Sequence, residues 1–344
     1  MAERYDDILV VDLLGGIGDL LMVLPAIHGL ARRHPDAALR VLTHEPAAEL
    51  LRGDPTVAEV YTPEHGRPGA EREAVLEVLA AHPPALAVTT TRYDGIPDLL
   101  AASGARCVTD LWRRPPTHER VGDRYLRILH AEGLLDEEDL DTPPRVHLRP
   151  AELAEGARLV AARLPSAANA PPVVLVTDAG MRVKQWPRDR WDRLADLLAD
   201  RGHPLLIAGP VPVPSGTALP RGSLRQLAAM LAAVAATGGV VVGGDTGPVR
   251  LAAAVGARTV ALFGPTLALR YGIGREVPAG IDLQGLPECG YRQPTSITEQ
   301  ICWWNAHCPL SPDGPACMAD LRPEAVAAAV AQVSGPRPAA GRSL

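Results

Sequence analysis

Residues 240–266 read VVVGGDTGPVRLAAAVGARTVALFGPT. Residues 239–242 and 259–263 are unbroken apolar runs of strand length, the mark of parallel strands covered on both faces. Between them, residues 246–255 read as a small-residue helix. A carboxylate and a glycine therefore stand where a buried strand hands over to a helix. Such corners turn free backbone N–H groups and the positive end of a helix toward anions. Gly243 and Gly244 end the strand, and Asp245 is placed to cap the helix. Thr246 and Gly247 offer N–H groups, and Pro248 suits the first turn because its missing N–H is not needed there. Phe263-Gly264-Pro265-Thr266 ends beside the same place. Together they predict a diphosphate site; two well-capped turns without a ligand are the alternative.

The same alternation runs outward in both directions. Residues 7–14 (DILVVDLL) form an apolar strand, followed by a helix in which Leu20, Val23, Leu24, Ile27, Leu30 and Ala31 share a face and Pro35 marks the stop. Further strands are predicted at 39–43, 57–61, 85–90 and 105–108, with helices at 46–52, 71–81, 96–103 and 119–133. An acidic, proline-rich stretch, 136–150, contains a predicted edge strand at 146–148, and residues 151–164 read as helix. The pattern then restarts: strands at 173–177, 205–208, 239–242 and 259–263, and helices at 188–201, 223–233, 246–255 and 322–333. Strands alternating with helices imply parallel sheets. The expected fold class is thus α/β, two such sheets in tandem with an inter-domain cleft. We place the domains at 1–155 and 156–335, with a disordered tail at 336–344.

A chain of 344 residues fits two domains. Its net charge of −6 carries no basic stripe, so nucleic acid is not an expected partner. The start, MAERYDD, lacks the basic-then-apolar order of a signal peptide, and no window offers ~18 uninterrupted apolar residues. A cytoplasmic location follows, without a transmembrane segment, while peripheral contact with a lipid-linked substrate stays open. The five cysteines are odd in number, which argues against a disulfide framework. Cys302, His307, Cys308 and Cys317 lack a tight C-x-x-C spacing, so packed thiols or a loop clamp are expected rather than zinc. Trp303-Trp304 reads as buried; stacking on a base or sugar is the alternative.

Two further motifs follow first strands. Gly15-Gly16-Ile17-Gly18-Asp19 is not a full G-x-G-x-x-G, but its glycines let backbone approach a ligand. Asp19 there suits either a helix N-cap or a general base on a hydroxyl. Residues 177–187, TDAGMRVKQWP, put Lys184 just ahead of a helix, where a cation can neutralise phosphate; a solvated lysine is the plain reading.

The order Gly-x-Gly-Asp, Lys-x-Trp-Pro, Asp-Thr-Gly-Pro and Leu-Phe-Gly-Pro-Thr, followed by Cys308-Pro309 and Cys317-Met318, resembles glycosyltransferase family 9, the ADP-heptose:lipopolysaccharide heptosyltransferases. That resemblance implies a GT-B fold with acceptor mostly on the first domain and nucleotide-sugar donor mostly on the second. It implies inversion at the anomeric carbon and no metal or other cofactor, with ADP-heptose the expected donor. Asp19 matches the general base and Lys184 the lysine on the donor phosphates. Asp245, Thr246 and Gly247 match the turn holding diphosphate and sugar, with Thr266 on the second loop; Gly16 and Gly18 join the donor contacts. Arg250 stands where the family often has His. The usual acceptor is the lipopolysaccharide inner core; the Ala-, Arg-, Pro- and Gly-rich composition suggests a GC-rich source and hence a natural-product acceptor such as an aminoglycoside. A non-hydrolysing NDP-sugar epimerase and a non-catalytic nucleotide-sugar binding protein are the rival readings.

Overall fold

The computed structural model describes residues 4–111, 116, 118–165, 170–273 and 280–334; the tail expected at 336–344 lies outside them. The chain divides into two units. Unit 1 comprises Met1–Glu155, Arg221–Ala229 and Leu269–Tyr271; unit 2 comprises Gly156–Pro220, Met230–Ala268 and Gly272–Leu344.

Unit 1 is built on five parallel strands: β1 (Asp7–Asp12), β2 (Ala38–Thr43), β3 (Glu59–Tyr61), β4 (Leu86–Thr89) and β5 (Arg106–Val108). Ile8, Leu9, Val10 and Val11 are all fully buried, because helices cover both faces of the sheet. Leu9, Val11 and Leu13 pack on one side with residues of α2 (Ala70–Ala81) and α3 (Ile96–Ala102). On α1 (Ile17–Arg33) the predicted apolar stripe is buried, and this helix lies against α4 (Val121–Ala131). The strand order is β3-β2-β1-β4-β5.

Unit 2 repeats the plan with β6 (Val173–Val176), β7 (Leu205–Ile207), β8 (Gly216–Ala218), β9 (Val240–Gly244), β10 (Arg258–Phe263) and β11 (Gly280–Gln284), all parallel. Its core packs strand residues against α6 (Arg188–Ala199) and α11 (Pro323–Val333). The order β8-β7-β6-β9-β10-β11 is the Rossmann order, and unit 1 shows its first five strands. In such sheets the chain reverses its direction of growth beside the first strand. Ligands collect at that switch point, outside the strand C-terminal ends. The switch points here are β1/β4 and β6/β9. Among the described residues no helix is long and apolar enough to cross a membrane.

Two edge strands escape the sequence reading. β8 is three residues with an exposed Thr217 and Ala218, and β11 (GIDLQ) is a short, half-buried strand in which Asp282 and Gln284 alternate with Ile281 and Leu283. Conversely, the predicted strand at 146–148 makes no ladder. There the His147 carbonyl instead accepts from Arg225, on the first turn of α7 (Leu224–Ala236), at 2.8 Å.

Arg225 is the main polar tie of unit 1. Its guanidinium grips Glu152 through two bonds, at 2.6 and 2.7 Å, and also donates to the carbonyls of Leu50 and His147. Losing it takes two bonds from Glu152, which keeps those from the Arg149 N–H and guanidinium, and one donor from each of two carbonyls, so Arg225→Ala is expected to cost about 1–3 kcal/mol in chemical denaturation. Arg225→Lys recovers only part, because one ammonium cannot reproduce the fork.

Candidate active site

At the unit 1 switch point, β1 ends in Asp12 and the chain turns through Gly15, whose φ of +93° suits only glycine. Gly16 is the N-cap of α1 and no side chain caps it, while Gly18 is the helix's second residue. Asp19 is therefore not the cap. It is the third helical residue, its N–H donating to the Gly16 carbonyl at 3.1 Å and its carboxylate lying half-buried against Gly16. A Cβ at Gly16 would collide with that carboxylate, so glycine is required there to seat Asp19.

Beneath it lies Asp12, fully buried, which accepts a hydrogen bond from the Thr90 hydroxyl across β1/β4. Burial, reinforced by the Asp19 charge, pushes the Asp12 carboxyl up to about 7 against the pull of that bond. The run Thr89-Thr90-Thr91 stiffens the corner further. Thr89 Oγ1 donates to the Val11 carbonyl and Thr91 Oγ1 accepts from the Leu13 N–H, each at 2.9 Å. None of this second layer was singled out from the sequence; its signal is a polar run, TTT, at the end of an apolar strand beside the glycine turn.

Unit 2 joins its candidate residues across β6/β9. Lys184 ends a 3₁₀ turn, Arg182–Lys184, and its Nζ donates to Asp245 Oδ2 at 2.7 Å. The Thr266 hydroxyl, from the loop after β10, donates to the same oxygen at 2.9 Å. Asp245 is thus not the helix cap either; Thr246 occupies that position on α8 (Gly247–Ala254), again with no side-chain cap bond. The reason is competition: a cation and a hydroxyl converge on the carboxylate and draw it away from the helix end. Burial works to raise the Asp245 carboxyl, but the Lys184 and Arg250 charges and the bonds from Lys184 and Thr266 outweigh it and hold it below the usual carboxylate range.

Gly247 is the first residue of α8, and Arg250 is buried on the same helix. The Thr246 hydroxyl oxygen is buried and finds no partner among the described residues. A buried polar atom left without a bond costs about 1–3 kcal/mol, so one at a helix start is a ready contact for an anion. Gly243 lets α8 approach β6, since a Cβ there would run into Val176 and Val249.

Two more side chains stand by this corner, Trp303 and Arg292, of which the sequence reading did not single out the second. Trp303 is buried, with Lys184 Nζ 5.4 Å from the centre of its ring, whereas Trp304 is 75% exposed. The pair is split, and only its first member fits the expected burial. Arg292 donates to the carbonyls of Gly264, Gly285, Leu286 and Pro287, pinning the loop that carries Thr266. Cys289, Cys302, Cys308 and Cys317 are free thiols around one cavity of about 10 Å³ behind that loop.

A strand-end corner in each of two Rossmann sheets, one with the Asp19 carboxylate and one with a lysine, a hydroxyl and a helix start, fits a GT-B-like α/β fold. The family model of glycosyltransferase family 9 (heptosyltransferase) matches residues 123–278, which include Lys184, Asp245–Gly247 and Thr266 but not Asp19. Over that segment the chain is similar to the family 9 glycosyltransferases, as its motifs indicate. A search of curated proteins finds no match. Among solved structures, the family 9 glycosyl transferase from Veillonella parvula superposes with a TM-score of 0.74 at 15% identity, covering 97% of this chain and 98% of that one. The E. coli ADP-heptose LPS heptosyltransferase II gives 0.66 at 17%, covering 95% and 98%. The E. coli heptosyltransferase WaaC with ADP gives 0.59 at 21%, covering 86% and 98%. At such identities these likenesses speak for the fold.

Proposed function

We propose that the chain is an inverting glycosyltransferase that needs no metal for transfer and moves a heptose from ADP-heptose to a hydroxyl of a glycan or of a small natural-product scaffold such as an aminoglycoside. One observation carries the reading: Lys184, Asp245, Thr266 and the unpartnered Thr246 hydroxyl meet at the switch point of unit 2. That is a phosphate-binding corner with its cation already in place. The similarity to a heptosyltransferase solved with ADP supports the choice of donor.

In this reading unit 2 holds the donor and unit 1 the acceptor. The acceptor oxygen attacks the anomeric carbon and the bond from that carbon to the diphosphate oxygen breaks. The acceptor proton passes to Asp19, and ADP departs with the electron pair. Lys184 and the N–H groups at the start of α8 stabilise the charge that builds on the diphosphate, the part a divalent cation plays elsewhere. Inversion follows because attack and departure occur on opposite faces of the sugar. Asp245 holds the Lys184 Nζ in place through the 2.7 Å bond. The acidic run at 136–141 offers less to a cationic acceptor than its composition suggests, since Asp139 is buried and bonded to Arg32, and Asp136 pairs with Arg33.

The test is a thermal-shift screen against ADP, GDP, UDP and dTDP sugars, followed by incubation with the best donor. A ligand of the folded state raises the midpoint. ADP-heptose should give the largest rise, and sugar should move only when an acceptor is added. A shift confined to another base would overturn the donor assignment; isomerisation of donor alone would overturn the reaction.

A further inference from the structure

His28 faces inward from α1 and is buried, on a helix face otherwise filled by apolar side chains. Its Nε2 lies 2.9 Å from Oδ2 of Asp54, also buried. His147, from the segment leading into α5 (Pro150–Ala161), brings its Nε2 to 3.9 Å from that same oxygen. The donor atoms of all three lie within 4.8 Å of one another. Ligands held at about 2.0–2.2 Å around a tetrahedral ion stand roughly 3.4 Å apart, a spacing that the two measured separations bracket. All three residues belong to unit 1.

We infer that His28, Asp54 and His147 form a binding site for one divalent transition-metal ion of the zinc class, stapling α1 to two loops distant in sequence. Two imidazoles and a carboxylate suit Zn²⁺, Co²⁺ or Fe²⁺, whereas Mg²⁺ and Ca²⁺ want oxygen. The second carboxylate oxygen, Oδ1, is already fixed by the Thr56 N–H at 2.9 Å and the Thr56 hydroxyl at 2.6 Å. Those bonds aim Oδ2 at the imidazoles, as outer-shell partners of a metal ligand do. The His147 backbone is held in turn by Arg225.

The charge balance points the same way. Among the described residues Asp54 has no lysine or arginine within ion-pair distance, and its two close partners are imidazoles. A buried carboxylate needs a counter-charge, and a divalent ion held by the two imidazoles supplies it. The His147 side chain is 44% exposed, which leaves an entry path and room for a water as fourth ligand. By contrast, among the described residues no three of the late cysteines bring their sulfurs to this spacing. The site is independent of the glycosyltransfer reading and takes no part in it.

The full chain is stripped with chelator, dialysed and titrated with Co²⁺ and Zn²⁺, with bound metal counted by mass spectrometry. The expected result is one equivalent of Co²⁺ with d–d bands, no intense thiolate charge-transfer band, and a raised melting midpoint. His147→Ala, at a half-exposed position, should keep the fold by circular dichroism. It should also weaken binding by more than the roughly 10–100-fold that loss of an outer-shell partner costs. His147→Cys should retain a metal and add the thiolate band. Substoichiometric uptake by the parent chain would overturn the proposal, leaving a plain His28–Asp54 hydrogen bond. So would a thiolate band in the parent, or uptake unchanged in His147→Ala.

Discussion

Asp19→Asn retains donor binding and loses transfer by about 10²–10⁴-fold, the range a positioned general base supplies. The substitution is close to isosteric. Residue 19 stays the third of α1, seated against Gly16 where no Cβ interferes. An amide at that point cannot accept the acceptor's proton, while Lys184, Thr246 and Thr266, the donor contacts in the proposed reading, are untouched. Calorimetry with donor and turnover at saturating substrates separate the two effects; an equal fall in affinity and turnover would remove Asp19 from the role of base. Asp12→Asn is the matched control, since Asp12 is buried beneath Asp19 and touches no substrate. Turnover should survive it within a few-fold. Its signature is in stability. The folded carboxyl sits at about 7 against 3.8 in the unfolded chain, so the native state binds more protons between those values and stability falls as pH rises through them. Replacing Asp12 by a neutral amide removes that slope. The variant's melting midpoint should match the parent's near pH 4 and exceed it at pH 8.

Much of this was legible in the sequence because strand patterning is a local signal. Residues 8–11 and 240–242 are apolar without interruption, and the fold needs them so because helices cover both faces. The glycine turns and the lysine loop were also visible, since special backbone and a charge at a strand end are written in single residues. What escaped was pairing. Asp245 read as a helix cap and Asp19 as either a cap or a general base, the cap being the default for an acid at that position. The caps proved to be Gly16 and Thr246, because at 245 a lysine 61 residues upstream and a threonine 21 residues downstream outcompete the helix end. Asp12 and Thr90, 78 residues apart, meet only once β1 and β4 pair, and His28, Asp54 and His147 only once α1 packs on its sheet. No window of sequence contains such a constellation. Edge strands fail for a different reason: β8 and β11 are short and bury little, so any pattern in them is brief.

Lys184→Ala should lower kcat/KM by about 10²–10³-fold, the cost of removing one preorganised donor to a developing anion. The loss should appear both as weaker donor binding and as lower kcat. Two losses combine in this variant. The diphosphate forfeits its cation, and Asp245 is left as a shielded carboxylate with its nearest positive partner gone, facing the incoming phosphates. The second loss can be isolated. Lys184→Ala/Asp245→Asn removes the orphaned charge and should recover part of the donor affinity, a coupling of about 0.5–3 kcal/mol in the double-mutant cycle. It should not recover turnover, because nothing replaces the ammonium on the leaving group. Lys184→Arg should restore charge but not full activity, since a planar fork cannot lie on the Trp303 face and meet Asp245 as the ammonium does. If Lys184 were only a structural partner of Asp245, the double variant would regain parental turnover and the single one would bind donor normally. A purely structural lysine also predicts a loss of melting temperature in step with the loss of activity. A catalytic one predicts activity falling by orders of magnitude while the fold persists.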